Sequence, residues 1–305
     1  MSTPHPTSCA MVAIVGRPNA GKSTLLNALT GARVGIISPK PNTTRVVVRG
    51  ITHSGHAQLV WLDTPGLNKS AKAFERRLVQ QANGAMADAD VVLVLLDASH
   101  AVKNAGPKAL QQEAEWVSAA LGRKQSVIVG ISKVDLVKAK VALLPVLETI
   151  NAWGVHAVVP LSASKKIALD DLVREVAKLA PAGPWLFPAD MVTDAPLHQR
   201  LAEFTREQAM NLLQQEVPYG VGVMTEAVVP AQGEAPMLVQ QIIMVVKESH
   251  KPMVVGAGGS MLKQIGMRAR KVMQEALGEG VRLELRVKVE PFWQSKADIL
   301  NDLGV

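Results

Sequence analysis

The sequence predicts an α/β domain built on a mainly parallel sheet, joined by a proline-rich linker to a smaller α+β domain. Three observations carry this. Six short apolar runs alternate with helix-spaced segments over residues 1–180, four prolines crowd residues 179–196, and the order of elements changes after residue 197.

The runs "MVAIVG" (11–16), "VVVRGI" (46–51), "AQLVWLD" (57–63), "VVLVLLD" (91–97), "SVIVGIS" (126–132) and "AVVPLS" (157–162) read as strands. They are apolar almost throughout, as a sheet covered on both faces requires. Residues 74–87, 107–121 and 168–179 place apolar side chains at helical spacing. The segment "LAPAGPWLFPADMVTDAP" holds no regular element at that proline density. Beyond it a helix (198–214) precedes the strands "VGVMTEAVV" and "MLVQQIIMVV". Then come "SHKPMVVGAGGS", a long helix (260–277) and a strand (281–289), in the order α-β-β-α-α-β. The boundaries expected are 1–180, a linker 181–197, a second domain 198–290 and a tail 291–305 with one short helix.

Composition narrows the class. With 48% hydrophobic and 19% charged residues the chain is globular, not disordered. One cysteine, Cys9, excludes an internal disulfide and an all-cysteine metal cluster, and suits a reducing cytoplasm. The N-terminus lacks the basic-then-apolar order of a signal peptide, and "VVLVLL" (91–96) is too short to span a bilayer. Residues 1–180 hold 21 Lys+Arg and 12 Asp+Glu, so +9; residues 181–305 hold 12 and 14, so −2. Within the acidic half, residues 247–271 carry six basic residues against Glu248, a local +5 that suits a nucleic-acid partner.

"GRPNAGKST" (16–24) follows a strand, opens a helix and fits G-x-x-x-x-G-K-[ST]. Gly16 and Gly21 then let backbone N–H groups wrap a phosphate chain, in a loop completed by Arg17, Pro18, Asn19, Ala20 and Thr24. Lys22 supplies positive charge, Ser23 a hydroxyl for Mg²⁺, and the helix start a partial positive charge. "DTPG" (63–66) ends the strand "QLVWL". Asp63 is placed to hold Mg²⁺, with Thr64 and Pro65 in the turn and the Gly66 N–H toward a γ-phosphate. In the polar loop "SPKPNTTR" (38–45), Thr44 would complete the Mg²⁺ shell and order the loop when a γ-phosphate is present.

These motifs, with "PYGVGV" (218–223), "KPMVVGAGG" (251–259), "IGMRARKVMQE" (265–275) and "LELRVKVEPFW" (283–293), resemble the Era family of bacterial GTPases from residue 11 to 293. The resemblance implies a Ras-like P-loop NTPase G domain followed by a type-II KH domain. It implies a Mg²⁺-dependent hydrolysis of GTP to GDP. The partners it implies are 16S ribosomal RNA near its 3′ end and the 30S ribosomal subunit, whose maturation and assembly the protein assists. A monomeric cytoplasmic chain is expected, with a peripheral contact on the inner face of the cell membrane left open. Two other readings stay open. One is a nucleotide-gated RNA-binding assembly factor with negligible hydrolysis; the other is a cell-cycle or membrane-linked signalling GTPase.

Departures from the family pattern define the questions. Leu67 stands where Ras-type GTPases place a water-orienting glutamine, so water must be positioned by another group. Asn19 matches an asparagine that helps some relatives bind K⁺; it either does so here or only hydrogen-bonds within the loop. The family's Asn-Lys-x-Asp loop appears as Ser132, Lys133, Val134 and Asp135. There Asp135 would accept hydrogen bonds from guanine and Lys133 would lie along the base, while the first residue ties the loop to the phosphate loop. The aspartate term outweighs the rest, because an unpaired buried partner rejects the wrong base by about 10⁴-fold. One neutral hydrogen bond is worth only about 0.5–1.5 kcal/mol. Ser162 and Ala163 fit the family's Ser-Ala at guanine O6, although a glycine usual shortly after them is missing.

"GAGG" (256–259) fits G-x-x-G, the turn through which KH modules approach a nucleic-acid backbone. Gly256, Gly258 and Gly259 form the turn, and relatives often carry a lysine where this chain has Gly258. Lys251, Lys263 and Arg268 would meet phosphates, and an apolar groove near Val254, Val255 and Ile265 would take unstacked bases. His53 and His56 read as surface or turn residues, Trp61 as a packed sheet residue, and Phe292 with Trp293 as anchors of the tail.

Overall fold

The computed structural model describes residues 6–40, 43–64, 73–104 and 107–304. The chain forms two compact units. The first comprises residues 1–35, 47–71 and 78–194; the second takes 36–46, 72–77 and 195–305.

The first unit runs β1 (Ser8–Gly16), α1 (Lys22–Thr30), β2 (Val48–Ser54), β3 (Ala57–Asp63), α2 (Ala73–Ala87), β4 (Val91–Asp97), α3 (Ala98–Lys103), α4 (Gln111–Gly122), β5 (Ser126–Ser132), α5 (Leu144–Asn151), β6 (Ala157–Pro160) and α6 (Leu169–Ala177). The first residues of α2, 73–77, belong to the second unit. The sheet has the order β2-β3-β1-β4-β5-β6, with every pair parallel except β2–β3. Its inner strands are buried on both faces, Val91 to Leu96 being at most 2% exposed, which explains their unbroken apolar runs. Trp61 is fully buried and donates to the Thr52 hydroxyl at 2.8 Å.

Some boundaries differ from those expected. The strand read at 46–51 forms two residues later, and the one read at 157–162 stops at Pro160. The segment 107–121 divides into a short 3₁₀ turn and α4. Helices α3 and α5 are too short for periodicity to reveal; Asp97 caps α3, accepting from the N–H groups of Ser99 and His100. Residues 181–194 contain no helix or strand, yet they belong to the first unit and are tied to it. Ala182 bridges to Ser8, the carboxamide of Gln58 takes the N–H groups of Leu186 and Phe187, and Arg49 pairs with Asp194 at 2.8 Å. His53 packs against Trp185 with ring centroids 4.6 Å apart and planes tilted by 52°.

The second unit runs α7 (Leu197–Leu212), β7 (Gly222–Val229), β8 (Met237–Val245), α8 (His250–Val255), α9 (Ser260–Leu277), β9 (Val281–Val289) and α10 (Ala297–Asp302). Its sheet is β7-β8-β9, antiparallel then parallel. Helices α7 and α9 cover it with Leu201, Phe204, Ile265, Ala269 and Met273. The segment 36–46 is fixed within this unit by its basic residues. Lys40 donates to the carbonyls of Met210 and Leu213 at the end of α7, and Arg206 donates to the Thr43 carbonyl at 2.6 Å. Arg45 donates to the carbonyls of Val221 (2.6 Å) and Tyr219 (2.9 Å), with its guanidinium 5.4 Å from the Trp293 ring. Burial, then the neighbouring Arg206, draw Arg45 down to about 9 against the opposing pull of Glu203. Trp293 is fully buried and donates to the Gly220 carbonyl at 3.0 Å, so it anchors the tail as expected. Phe292 does not; its backbone is left-handed (φ 62°) and its ring is 79% exposed.

Candidate functional site

Parallel strands bring their C-terminal ends to one edge of the first sheet, and each motif sits on such an end. Gly16 ends β1, Asp63 β3, Asp97 β4 and Ser132 β5, while Ser162 follows β6. The register sets Ile14 beside Asp63 and Asp97 beside Ser132, so pieces far apart in sequence converge by topology.

The phosphate loop leaves β1 at Gly16, where a Cβ would meet the Leu95 carbonyl oxygen at 2.5 Å; only glycine fits. Lys22, 7% exposed, donates to the carbonyls of Gly16 (3.0 Å) and Arg17 (3.4 Å). Burial pulls its ammonium below the ordinary lysine value, with Asp63 pulling back. A buried cation spanning its own loop is poised to exchange carbonyls for phosphate oxygens. The Ser23 hydroxyl donates to the Asp63 carboxylate at 2.6 Å, a hydroxyl–carboxylate pair of hard oxygens that fits Mg²⁺. Thr64 donates to the Ile14 carbonyl at 2.9 Å and fixes the strand end. Thr44 lies on the segment 36–46, which belongs to the second unit. Pro65, Gly66 and Leu67 lie outside the described residues.

Ser132 performs the tie expected of an asparagine. Its hydroxyl lies 2.7 Å from the Ala20 carbonyl oxygen and 3.0 Å from that of Leu96, and the residue is 3% exposed. Lys133, at φ 57°, donates to the Asn19 carbonyl at 2.5 Å and pairs with Asp97 at 2.7 Å. The Val134 N–H binds the Leu161 carbonyl at 3.3 Å. Among the described residues, Asp135 Oδ1 is buried without a hydrogen-bond partner. Such an acceptor is costly unless a ligand donates to it, and guanine offers the donors. Beside it, Ser162 is fully buried and its hydroxyl accepts from the Lys165 N–H at 3.2 Å. In place of the missing glycine, Lys166 (φ 53°) and Ala168 (φ 56°) adopt left-handed backbone.

Two residues were missed by sequence reasoning. Asp97 ends an apolar strand as Asp63 does, and that shared position was a usable signal. Glu113 carried none; it is 2% exposed and pairs with Arg17 at 2.6 Å. The Arg17 guanidinium is thereby spent on protein partners, not directed at phosphate.

In the second unit α8 leads into the glycine turn and α9. Gly256 has φ 75°, and a Cβ there would meet the Met261 nitrogen at 2.7 Å. Lys251, Lys263, Arg268 and Arg270 are exposed around the turn and along α9. Val254 and Ile265 are fully buried in the core and do not line a surface groove. A groove of about 370 Å³ lies between α9 and β9, lined by Gly259, Leu262, Lys263, Met267, Arg270 and Leu285. No helix among the described residues is long and apolar enough to cross a membrane.

The fold and site define a GTPase domain joined to a KH domain. Residues 11–133 match the family model described as a 50S ribosome-binding GTPase, and residues 216–294 match the KH domain model. The chain is 39% identical over 299 residues to GTPase Era of Nitratidesulfovibrio vulgaris, covering 97% of this chain and 96% of that one. It is 38% identical to GTPase Era of Aquifex aeolicus, covering 96% and 97%. A solved structure of Aquifex aeolicus Era bound to GDP·AlF4⁻ superposes with a TM-score of 0.87 at 37% identity, covering 98% of this chain and 99% of that one. A solved structure of Era in complex with MgGDPNP and nucleotides 1506–1542 of 16S ribosomal RNA gives the same TM-score, identity and coverage. The chain belongs to the Era family of GTPases.

Proposed function

We infer that this chain is a Mg²⁺-dependent GTPase that binds 16S ribosomal RNA near its 3′ end and assists maturation and assembly of the 30S subunit. The observation that carries the reading is the convergence on one sheet edge of Lys22, the Ser23–Asp63 pair and Asp135 Oδ1, which is buried without a hydrogen-bond partner among the described residues. The glycine-turn module in the same chain extends the reading to RNA.

Asp135 selects guanine, with Lys133 along the base and the Ala163 N–H toward O6. The phosphate loop, Gly16 to Thr24, wraps the diphosphate, and Lys22 moves its N–H donors onto phosphate oxygens as charge develops there. Mg²⁺, when bound, neutralises phosphate charge, and Ser23, Asp63 and Thr44 are the side chains assigned to it. Water attacks the γ-phosphorus in line while its bond to the β–γ bridging oxygen breaks, so GDP leaves and the water's proton goes to the released phosphate. Gly66, outside the described residues, is the group assigned to donate an N–H to that phosphate. K⁺ is assigned to Asn19. Lys251, Lys263 and Arg268 meet the RNA backbone at the Gly256–Gly259 turn, and bases enter the groove between α9 and β9. The boundaries proposed are a GTPase domain that takes in the segment 181–194 expected as linker, a KH domain at 198–290 and a tail at 291–305. The location proposed is cytoplasmic, and a peripheral contact on the inner face of the cell membrane stays open.

Single-turnover hydrolysis of GTP and ATP tests this reading, with Mg²⁺ or chelator, with and without K⁺ and a 16S 3′-end fragment. Mg²⁺-dependent turnover of GTP alone is expected. Nucleotide binding without turnover under every condition would leave the RNA-binding assembly factor standing instead.

A further inference from the structure

The position after Gly16 is free in the phosphate-loop pattern, yet this chain spends an arginine there on a buried carboxylate. Arg17 Nη2 donates to Glu113 Oε2 at 2.9 Å, and Nε lies 2.6 Å from Oε1 as an ion-pair contact without hydrogen-bond geometry. Nη2 also donates to the Ala109 carbonyl at 2.8 Å, and Nη1 lies 3.0 Å from His100 Nε2. Glu113 stands in the first turn of α4 and is 2% exposed, so its charge depends on Arg17 for compensation.

The main chain of Arg17 does the inward work. Its carbonyl accepts from the Ala20 N–H at 3.1 Å and from Lys22 Nζ at 3.4 Å. Two residues on, Asn19 holds a left-handed φ of 63°, and its carbonyl accepts from Lys133. The Ala20 carbonyl accepts from Ser132. The loop is therefore pinned at three points, Arg17, Asn19 and Ala20, one by α4 and two by the loop that carries Asp135. Pinning before the ligand arrives removes ordering cost from binding.

We propose that Glu113 is a positioning residue for phosphate binding: by gripping Arg17 it holds the main chain of the phosphate loop in its receptive shape. This rests on the nucleotide reading above. The competing role for Arg17, a guanidinium that swings onto the transferring phosphate, requires it to abandon a buried carboxylate.

The test uses the full chain and fluorescent GDP, with Glu113→Gln, Arg17→Lys, Arg17→Gln and the Arg17→Gln/Glu113→Gln double variant. Loss of a charge-assisted pair predicts GDP dissociation faster by about tenfold to a hundredfold in Glu113→Gln. The double variant should be no worse than Arg17→Gln alone, because Glu113 acts only through Arg17. A lowered melting temperature with unchanged GDP affinity would make the pair merely structural and overturn the proposal. So would tighter GDP or faster hydrolysis in Glu113→Gln, the signature of a released guanidinium. If Glu113→Gln fails to fold, Arg17→Lys carries the same prediction, and unchanged GDP affinity there is equally fatal. Absence of GDP binding by the unmodified chain would remove the nucleotide reading and the proposal with it.

Discussion

Replacing Ser132 with alanine removes one hydroxyl at the junction of base recognition and phosphate binding. The hydroxyl is buried, 2.7 Å from the Ala20 carbonyl oxygen and 3.0 Å from that of Leu96. A lost neutral hydrogen bond and a stranded buried acceptor together amount to about 1–3 kcal/mol. Part of this falls on the stability of the nucleotide-free protein. The rest falls on GDP, because Ala20 belongs to the phosphate loop; a share of about 1.4 kcal/mol is a tenfold weaker affinity. Preference for guanine should not move, since the Asp135 carboxylate is separate from this hydrogen bond. Asp135→Asn should instead remove most of the preference, about 10⁴-fold for a site built around that partner. Ser132→Asn keeps a donor at the tie and should change GDP affinity by no more than about tenfold. Competition of GDP and ADP against fluorescent GDP measures all three variants. A Ser132→Ala variant that binds GDP and ADP equally would refute the separation of tie from base reading.

Four further substitutions probe the rest of the molecule. Gly256→Ala places a Cβ 2.7 Å from the Met261 nitrogen at φ 75°, so strain of about 1–3 kcal/mol and loss of RNA affinity are expected. Gly258→Ala meets open space and should be milder in both melting and RNA-binding assays, and equal effects would contradict this. Ala168→Gly relieves a left-handed alanine, which costs about 1–2 kcal/mol, and should raise the melting temperature or leave it unchanged; a clear fall would show that the backbone there is not strained. Hydrogen bonds from Lys288 and Lys296 hold the Glu290 carboxylate at about 2. Because this lies below the unfolded value, its stabilisation is present above about pH 4 and is lost as pH falls toward 2. Glu290→Gln should flatten that part of the melting profile, and an unchanged acid limb would count against the ion pairs.

Much of the site was legible in sequence because its chemistry is local. A glycine, a lysine and a serine at fixed spacing before a helix form a phosphate cradle wherever a strand precedes them. The edge on which "DTPG" and "SKVD" fall followed from parallel strands all ending on one side. Apolar runs gave the strands, since burial on both faces leaves no room for polar alternation. Short helices escaped because a cap such as Asp97, not periodicity, defines them.

The sequence by itself determined the strands and long helices of the two domains, the phosphate cradle, the aspartate proposed to read guanine and the glycine turn of the KH module. Only tertiary structure decided where side chains spend their hydrogen bonds. It turned Arg17 toward Glu113, ninety-six residues away, put the Ser132 hydroxyl on the phosphate loop, and gave the segment carrying Thr44 and Arg45 to the second unit. It also buried Val254 and Ile265 while leaving Phe292 in solvent. Those outcomes depend on which strands and helices become neighbours, and spacing along a chain does not encode the partner across a fold.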